Sequence, residues 1–205
     1  MSSVPPGYTL AWPTLGAIPS QSYTCAHCGN AIATDRGWVG KSTYSQAEVA
    51  FVCICHVCKR PTFLDHQGSQ HPGAPFGAPV GDVPEASVSQ LYEEARRATA
   101  AGAYTAAVLC CRKLLMHIAV AKGAAENQTF LAYVEFLANK SYVPPEAAEW
   151  IDHIRKRGNE ANHEISISPR TDAEDLVAFC EMLLRVIYEF PARAKRRGGG
   201  LSGAT

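Results

Sequence analysis

The sequence predicts a small β ribbon followed by an all-α bundle of about five helices. Three observations carry this reading. Two Cys-x-x-Cys pairs lie in the first third of the chain beside strand-like segments, a stretch rich in Gly, Pro, Ser and Gln follows, and an apolar helical period begins after that and persists. The expected order is an extended lead-in over residues 1–22, the ribbon over 23–65, a linker over 66–84, the bundle over 85–191 and a flexible basic tail over 192–205.

Each segment has its own local reason. Pro5, Pro6, Pro13 and Pro19 suit an extended lead-in better than a helix. Glu48 to Ile54 reads as a strand feeding the second cysteine pair, and Thr62-Phe-Leu as a short strand leaving it. Pro72, Pro75, Pro79 and Pro84 argue against regular structure between His66 and Pro84. Beyond this point Ser87 to Ala101 forms an amphipathic helix closed by Gly102, Tyr104 to Lys122 a more apolar one closed by Gly123, and Thr129 to Asn139 a third. Pro144-Pro145 opens a fourth, with Glu146, Glu149 and Asp152 early and Arg155, Lys156 and Arg157 late, as the helix dipole favours. Asp172 to Arg193 makes the last, with Thr171 as its N-cap and Leu176, Phe179, Leu183, Val186, Ile187 and Phe190 on its buried side.

A chain of 205 residues with 47% hydrophobic composition can bury a sizeable core, and acidic and basic residues balance at 19 each. No global field therefore draws the molecule to nucleic acid or to a membrane surface; such binding has to come from a local patch. The N-terminus lacks a basic and then apolar leader, and no run approaches the roughly 18 apolar residues of a membrane span, so the expected compartment is the cytoplasm, without membrane contact. In a reducing compartment the eight cysteines read as metal ligands plus small core residues, the latter being Cys110, Cys111 and Cys180. The basic end, Arg193, Lys195, Arg196 and Arg197, is either a solvated terminus or a contact for nucleic-acid phosphates.

Cys25, Cys28, Cys55 and Cys58 are the expected ligands of one structural zinc ion. A Cys-x-x-Cys turn places two sulfurs on one ion while its amides face the thiolates, and two such turns complete a tetrahedral shell. The 26 residues between the pairs suffice for a hairpin that brings the second turn back to the first. Cys53 is a possible substitute for Cys55, although the spacing to Cys58 favours Cys55; His27 and His56 are expected to face solvent. A shell filled by protein leaves no position for an activated water, so the zinc is structural. Arg36, Lys41, Lys59 and Arg60 are too few basic residues to mark the ribbon as a DNA-binding module.

The other polar concentration is Ile154 to Glu164, between two apolar helices. Lys156, Asn159 and His163 share a face of a straight helix, while Arg157 and His163 stand roughly 120° apart. Two readings stay open: a helix C-terminus with Gly158 as its end and His163 as a capping group, or a polar centre with chemistry.

The segments Gly102 to Leu115, Arg157 to His163 and Ile187 to Phe190 resemble the prokaryotic domain of unknown function 4145, over roughly residues 85–191. That domain is similar in turn to the HEPN superfamily of helical bundles, many of which are metal-independent endoribonucleases with an Arg, four to six residues and a His. Arg157 and His163 enclose five residues. The resemblance implies a homodimer around RNA, in a phage-defence or toxin setting. His163 would move a proton at the 2′-hydroxyl or leaving oxygen, Arg157 would stabilise the phosphorane and Asn159 would position them. Gly158 departs from the pattern, which places a polar residue after the Arg. The alternative is a non-catalytic module that dimerises or binds a protein or nucleotide partner, with a structural zinc.

Overall fold

In the computed structural model the described residues are 15–43, 47–144, 150 and 167–199. The chain forms two compact units, divided between Ala74 and Pro75.

The first unit is an antiparallel five-stranded sheet in which each strand pairs with the next: β1 (Gly16–Thr24), β2 (Ala31–Lys41), β3 (Glu48–Ile54), β4 (Pro61–Leu64) and β5 (Gln70–His71). The lead-in is thus a strand from Gly16 onward, contrary to the expectation for residues 1–22. β1 is an edge strand with an irregular register between Ala17 and Gln21, where Pro19 sits, so the missing proline N–H is tolerated. The pattern reading also passed over β2, whose Gly37 and Gly40 weaken its strand signature. Gly37 pairs with Cys53, and a Cβ there would stand 2.3 Å from the Val52 carbonyl oxygen, so only glycine allows β2 and β3 to approach. Ile18, Tyr23, Cys25, Ile32, Cys53, Cys55 and Leu64 form the buried core of this unit. β5 extends the sheet inside the stretch expected to lack regular structure, and Asp65 closes its hairpin by accepting from the backbone N–H groups of Gln67 and Ser69 and pairing with His71.

The second unit contains four helices among the described residues: α1 (Ala86–Ala100), α2 (Tyr104–Ala121), α3 (Phe130–Asn139) and α4 (Arg170–Leu184). α4 continues through a π-helical turn, Arg185–Glu189, into a last helical stretch, Phe190–Gly199. Gly102 and Gly123 end α1 and α2 with positive φ values of 75° and 100°. Thr129 caps α3 by accepting from the Ala132 N–H. The fourth expected helix, opened by Pro144-Pro145, lies outside the described residues except for Pro144 and for Trp150, which is helical and meets Phe179 edge-on at 5.3 Å. α2 has the length and composition to cross a membrane, a point the sequence reading missed, but its Cys111, Leu114, Leu115, Ile118 and Ala119 are buried with Leu137, Phe179 and Leu183 in the core of the bundle.

Two expectations for the last helix are corrected. Its N-cap is Pro169, in extended conformation, and Thr171 sits inside the first turn. Leu176, Phe179, Leu183 and Ile187 are buried as the period predicts, whereas Phe190 is 50% exposed. The π turn explains the difference: the Phe190 N–H bonds to the Arg185 carbonyl, five residues back, and this extra residue rotates everything after it by about 100°. Glu189 takes the inward place and is 2% exposed. The basic end is helical to Gly199 instead of frayed: Arg193 pairs with Glu189, and Arg196 grips Asp82 through two bonds, of 2.6 and 2.9 Å.

Residues 75–84 lie on the helical unit as an extended strap. Phe76, Val80 and Val83 pack on the bundle core. Side chains of α1, α4 and the π turn read the strap's backbone. Arg96 donates to the Phe76 and Gly77 carbonyls, each at 2.8 Å, and Tyr92 to the Ala78 carbonyl at 2.9 Å. Glu181 accepts from the Ala78 N–H at 2.8 Å, and Glu189 from that of Gly81. Gly77 has φ +68°, and a Cβ there would lie 2.7 Å from the Glu181 carboxylate, so the strap needs glycine at this point.

Candidate metal centre

The sheet order puts two turns at one end of the first unit, because β1–β2 and β3–β4 both reverse there. Cys25 and Cys28 lie in the first turn, Cys55 and Cys58 in the second. The two turns repeat one geometry. The Cys25 carbonyl accepts from the Gly29 N–H at 2.8 Å and the Cys25 N–H donates to the Asn30 carbonyl at 2.9 Å; Cys55, Lys59 and Arg60 repeat this at 2.9 and 3.0 Å. The residue after each pair is left-handed, Gly29 at φ 73° and Lys59 at φ 60°. Such a turn directs both of its sulfurs and its inner N–H groups to one side, as with the Cys58 N–H, 3.5 Å from the Cys55 Sγ.

All four Sγ atoms lie within 4.8 Å of one another. Cys25 and Cys58 are 3.7 Å apart, as are Cys28 and Cys55. A disulfide requires about 2.0 Å. A tetrahedral ion with sulfur ligands at about 2.3 Å separates them by about 3.8 Å, so the cluster has the dimensions of a four-thiolate metal shell. Cys25 and Cys55 are buried, Cys58 is partly so, and Cys28 faces solvent. Burial raises the Cys25 thiol and pushes Cys58 up to about 12. Cys28 is also opposed by desolvation, but hydrogen bonds from Asn30 bring it down to about 7. The Asn30 side-chain amide lies 3.2 Å from its sulfur. Four thiolates at these separations repel one another strongly, and a divalent cation reverses that balance.

Cys53 is buried in the sheet opposite Thr62 and Gly37 and is not part of the cluster. The His27 ring meets the Pro61 carbonyl at 3.3 Å, and His56 is exposed. Asn30 was not marked by the spacing rule, which selects ligands and not the groups that donate to them. Cys111 and Cys180 are buried in the helical core, as expected, with the Cys180 Sγ 3.9 Å from the Cys111 carbonyl.

Arg157, Asn159 and His163 lie outside the described residues. Their flanks are anchored: Val143 is buried in the core, and the Ser168 N–H donates to the Thr105 hydroxyl at 3.0 Å. The charged residues that hold the strap, Arg96, Glu181 and Glu189, also escaped the pattern reading, because charged helical residues read as solvent-facing.

Comparison with curated proteins and with solved structures finds no match in either set. The family profile described as a domain of unknown function, DUF4145, matches residues 93–197, from within α1 to the last helical stretch and across the Arg157 to His163 segment. That match lies within the second unit and covers slightly more than half of the chain, so the protein belongs to the DUF4145 family.

Proposed function

We propose that the protein is an RNA-associated, HEPN-like endoribonuclease in which a zinc ribbon is attached to a helical catalytic domain. Zinc suits the first unit because four thiolates in a closed tetrahedral shell are its structural ligand set. Cys25, Cys28, Cys55 and Cys58 hold the ion, Asn30 donates to Cys28, and no coordination position is left for a reacting water. When bound, zinc supplies positive charge that ties the two turns together.

The observation that carries the ribonuclease reading is the spacing of Arg157 and His163 inside the span matched by the family, between helices that share one packed core. In this reading His163 shuttles the proton of the 2′-hydroxyl, Arg157 neutralises the pentacovalent phosphate and Asn159 orients the pair. Two chains pair to bring both sets to the RNA. A host- or phage-directed toxin role fits such an activity.

Purified protein incubated with RNA in magnesium-free buffer, beside His163→Ala, tests the reading. Cleavage by the wild type and at least a hundredfold loss in the variant is the expected result. Intact RNA with both proteins, or equal cutting by both, removes the nuclease and leaves a binding module.

A further inference from the structure

The last helical stretch carries Arg193, Lys195, Arg196 and Arg197 and no acidic residue. Arg193, Arg196 and Arg197 stand at i, i+3 and i+4, so they form one stripe. Two of the three are held by carboxylates from other elements. Arg193 pairs with the buried Glu189 of the π turn, and Arg196 with Asp82 of the strap. The two contacts differ in kind. Glu189 is enclosed and also serves Gly81 and Arg185. Asp82 takes its two hydrogen bonds from Arg196, with the Arg193 charge also acting on it, at an exposed site where a competing anion can reach. The Arg196 guanidinium in turn holds the Asp82 carboxyl below its usual range.

We propose that this stripe is an RNA-phosphate-binding surface and that Asp82 is a built-in competitor occupying Arg196 until a phosphate replaces it. The inference rests on the RNA-associated reading above and names a surface and a gate for it. A planar guanidinium that accepts a carboxylate through two parallel bonds accepts a phosphate in the same way. The occupant is a phosphodiester chain and not a membrane, because the stretch has no apolar stripe to insert: Phe190 and Pro191 stand at its start, and the remainder offers only alanines and glycines beside the charges. Arg197 extends the stripe and has no carboxylate partner among the described residues.

Asp82 has φ 59°, a conformation asparagine also tolerates, so Asp82→Asn removes the charge without straining the strap. Arg96, Tyr92 and Glu181 continue to hold the strap in that variant. The test is fluorescence anisotropy of a labelled 2′-O-methyl RNA, which cannot be cleaved through its 2′ position, with the full chain at several salt concentrations. Asp82→Asn should bind about two- to fivefold more tightly than wild type, the range expected for release of one exposed ion pair. The gain should vanish in Asp82→Asn/Arg196→Ala. Arg197→Ala should bind more weakly and lower the salt slope by about 0.7, one phosphate contact on a single strand. Glu94→Gln, an equal change of net charge at an exposed position on α1, should leave affinity unchanged.

The inference is overturned if Asp82→Asn binds no more tightly than wild type, if Glu94→Gln matches its gain, or if the gain survives without Arg196. It is also overturned if Asp82→Asn gains affinity only for anionic phosphatidylserine vesicles. Wild-type binding that is indifferent to all of these variants sinks the stripe and leaves the RNA-associated reading standing, whereas absence of any wild-type RNA binding sinks both.

Discussion

Acidification should release the zinc proposed for Cys25, Cys28, Cys55 and Cys58 with a steep pH dependence. Binding requires thiolates, so every thiol still protonated in the metal-free chain must give up its proton. Burial raises Cys25 and pushes Cys58 up to about 12, so both are protonated at neutral pH, and Cys28, near 7, joins them as the pH falls. The sign is therefore fixed: protons compete with the ion, affinity rises with pH, and it is lost as pH drops through the thiol range. Each displaced proton makes the binding constant fall tenfold per pH unit, so two give about a hundredfold and a third about a thousandfold between about pH 7 and pH 6. The assay is a zinc titration against a chromophoric chelator at each pH, with near-ultraviolet circular dichroism following Tyr23 and Trp38 of the sheet. Four apolar side chains, Ile18, Tyr23, Ile32 and Leu64, contribute roughly 6–12 kcal/mol of burial, and a four-ligand zinc contributes about 10–16 kcal/mol. Loss of the ion should consequently unfold this unit. A binding constant that changes less than tenfold per pH unit, or a sheet signal that survives removal of all bound metal, refutes the reasoning.

Four further outcomes are expected. Gly37→Ala should destabilise the first unit by about 2–4 kcal/mol in denaturant unfolding, since its Cβ collides with the Val52 carbonyl, while Gly29→Ala meets no neighbouring atom and pays only for its left-handed φ, about 1 kcal/mol. Arg96→Lys should cost about 2–3 kcal/mol in the thermal unfolding of the helical unit and open residues 75–84 to protease, because an ammonium cannot reach the Phe76 and Gly77 carbonyls and Glu93 together. Ile187→Ala should cost about 2–4 kcal/mol, whereas Phe190→Ser should stay within about 0.5 kcal/mol; the opposite ranking in urea unfolding would place the register shift elsewhere. A chain beginning at Ser87 should bind a hydrophobic dye and melt several degrees lower than one beginning at Ala74, since it leaves Arg96 and Glu189 without their strap partners, as differential scanning fluorimetry would read.

The four-cysteine cluster was legible because its determinants are local. Each pair of ligands lies within one turn, and the turn geometry is the same whatever joins the two turns. The remainder of the first unit was harder to read, since the glycines that permit β2 to meet β3 remove the strand signature from the residues that form it. On the helical side the closing glycines Gly102 and Gly123 followed from composition, but the N-cap of the last helix and the strap did not. Its partners lie far along the chain, with Glu181 and Ala78 separated by 103 residues, and they are charged groups whose burial follows only from the folded arrangement. A Pro- and Gly-rich stretch looks the same to a pattern whether it is free or held, because proline and glycine forbid a helix in both cases. What distinguishes them is the presence of side chains able to satisfy the backbone that the stretch leaves unpaired.

Three features at the end of the bundle share one cause. A helix that kept a period of 3.6 residues beyond Arg185 would continue the buried line of Leu176, Phe179 and Leu183 through Ile187 to Phe190. The single extra residue of the π turn instead brings Glu189 inward beside the Gly81 N–H and Arg185, and turns Phe190 out. The same rotation sets the direction of everything that follows, so the stripe of Arg193, Arg196 and Arg197 runs beside Glu189 and Asp82. A buried carboxylate in a helix is costly unless paired, and here the strap N–H and two guanidinium groups meet it. The strap and the π turn are therefore mutually dependent: without the strap Glu189 loses a donor, and without the turn the strap loses its acceptor at Gly81. Because Arg196 is drawn to Asp82 by that same geometry, the electrostatics of the basic end are set at the π turn, not in the basic sequence itself.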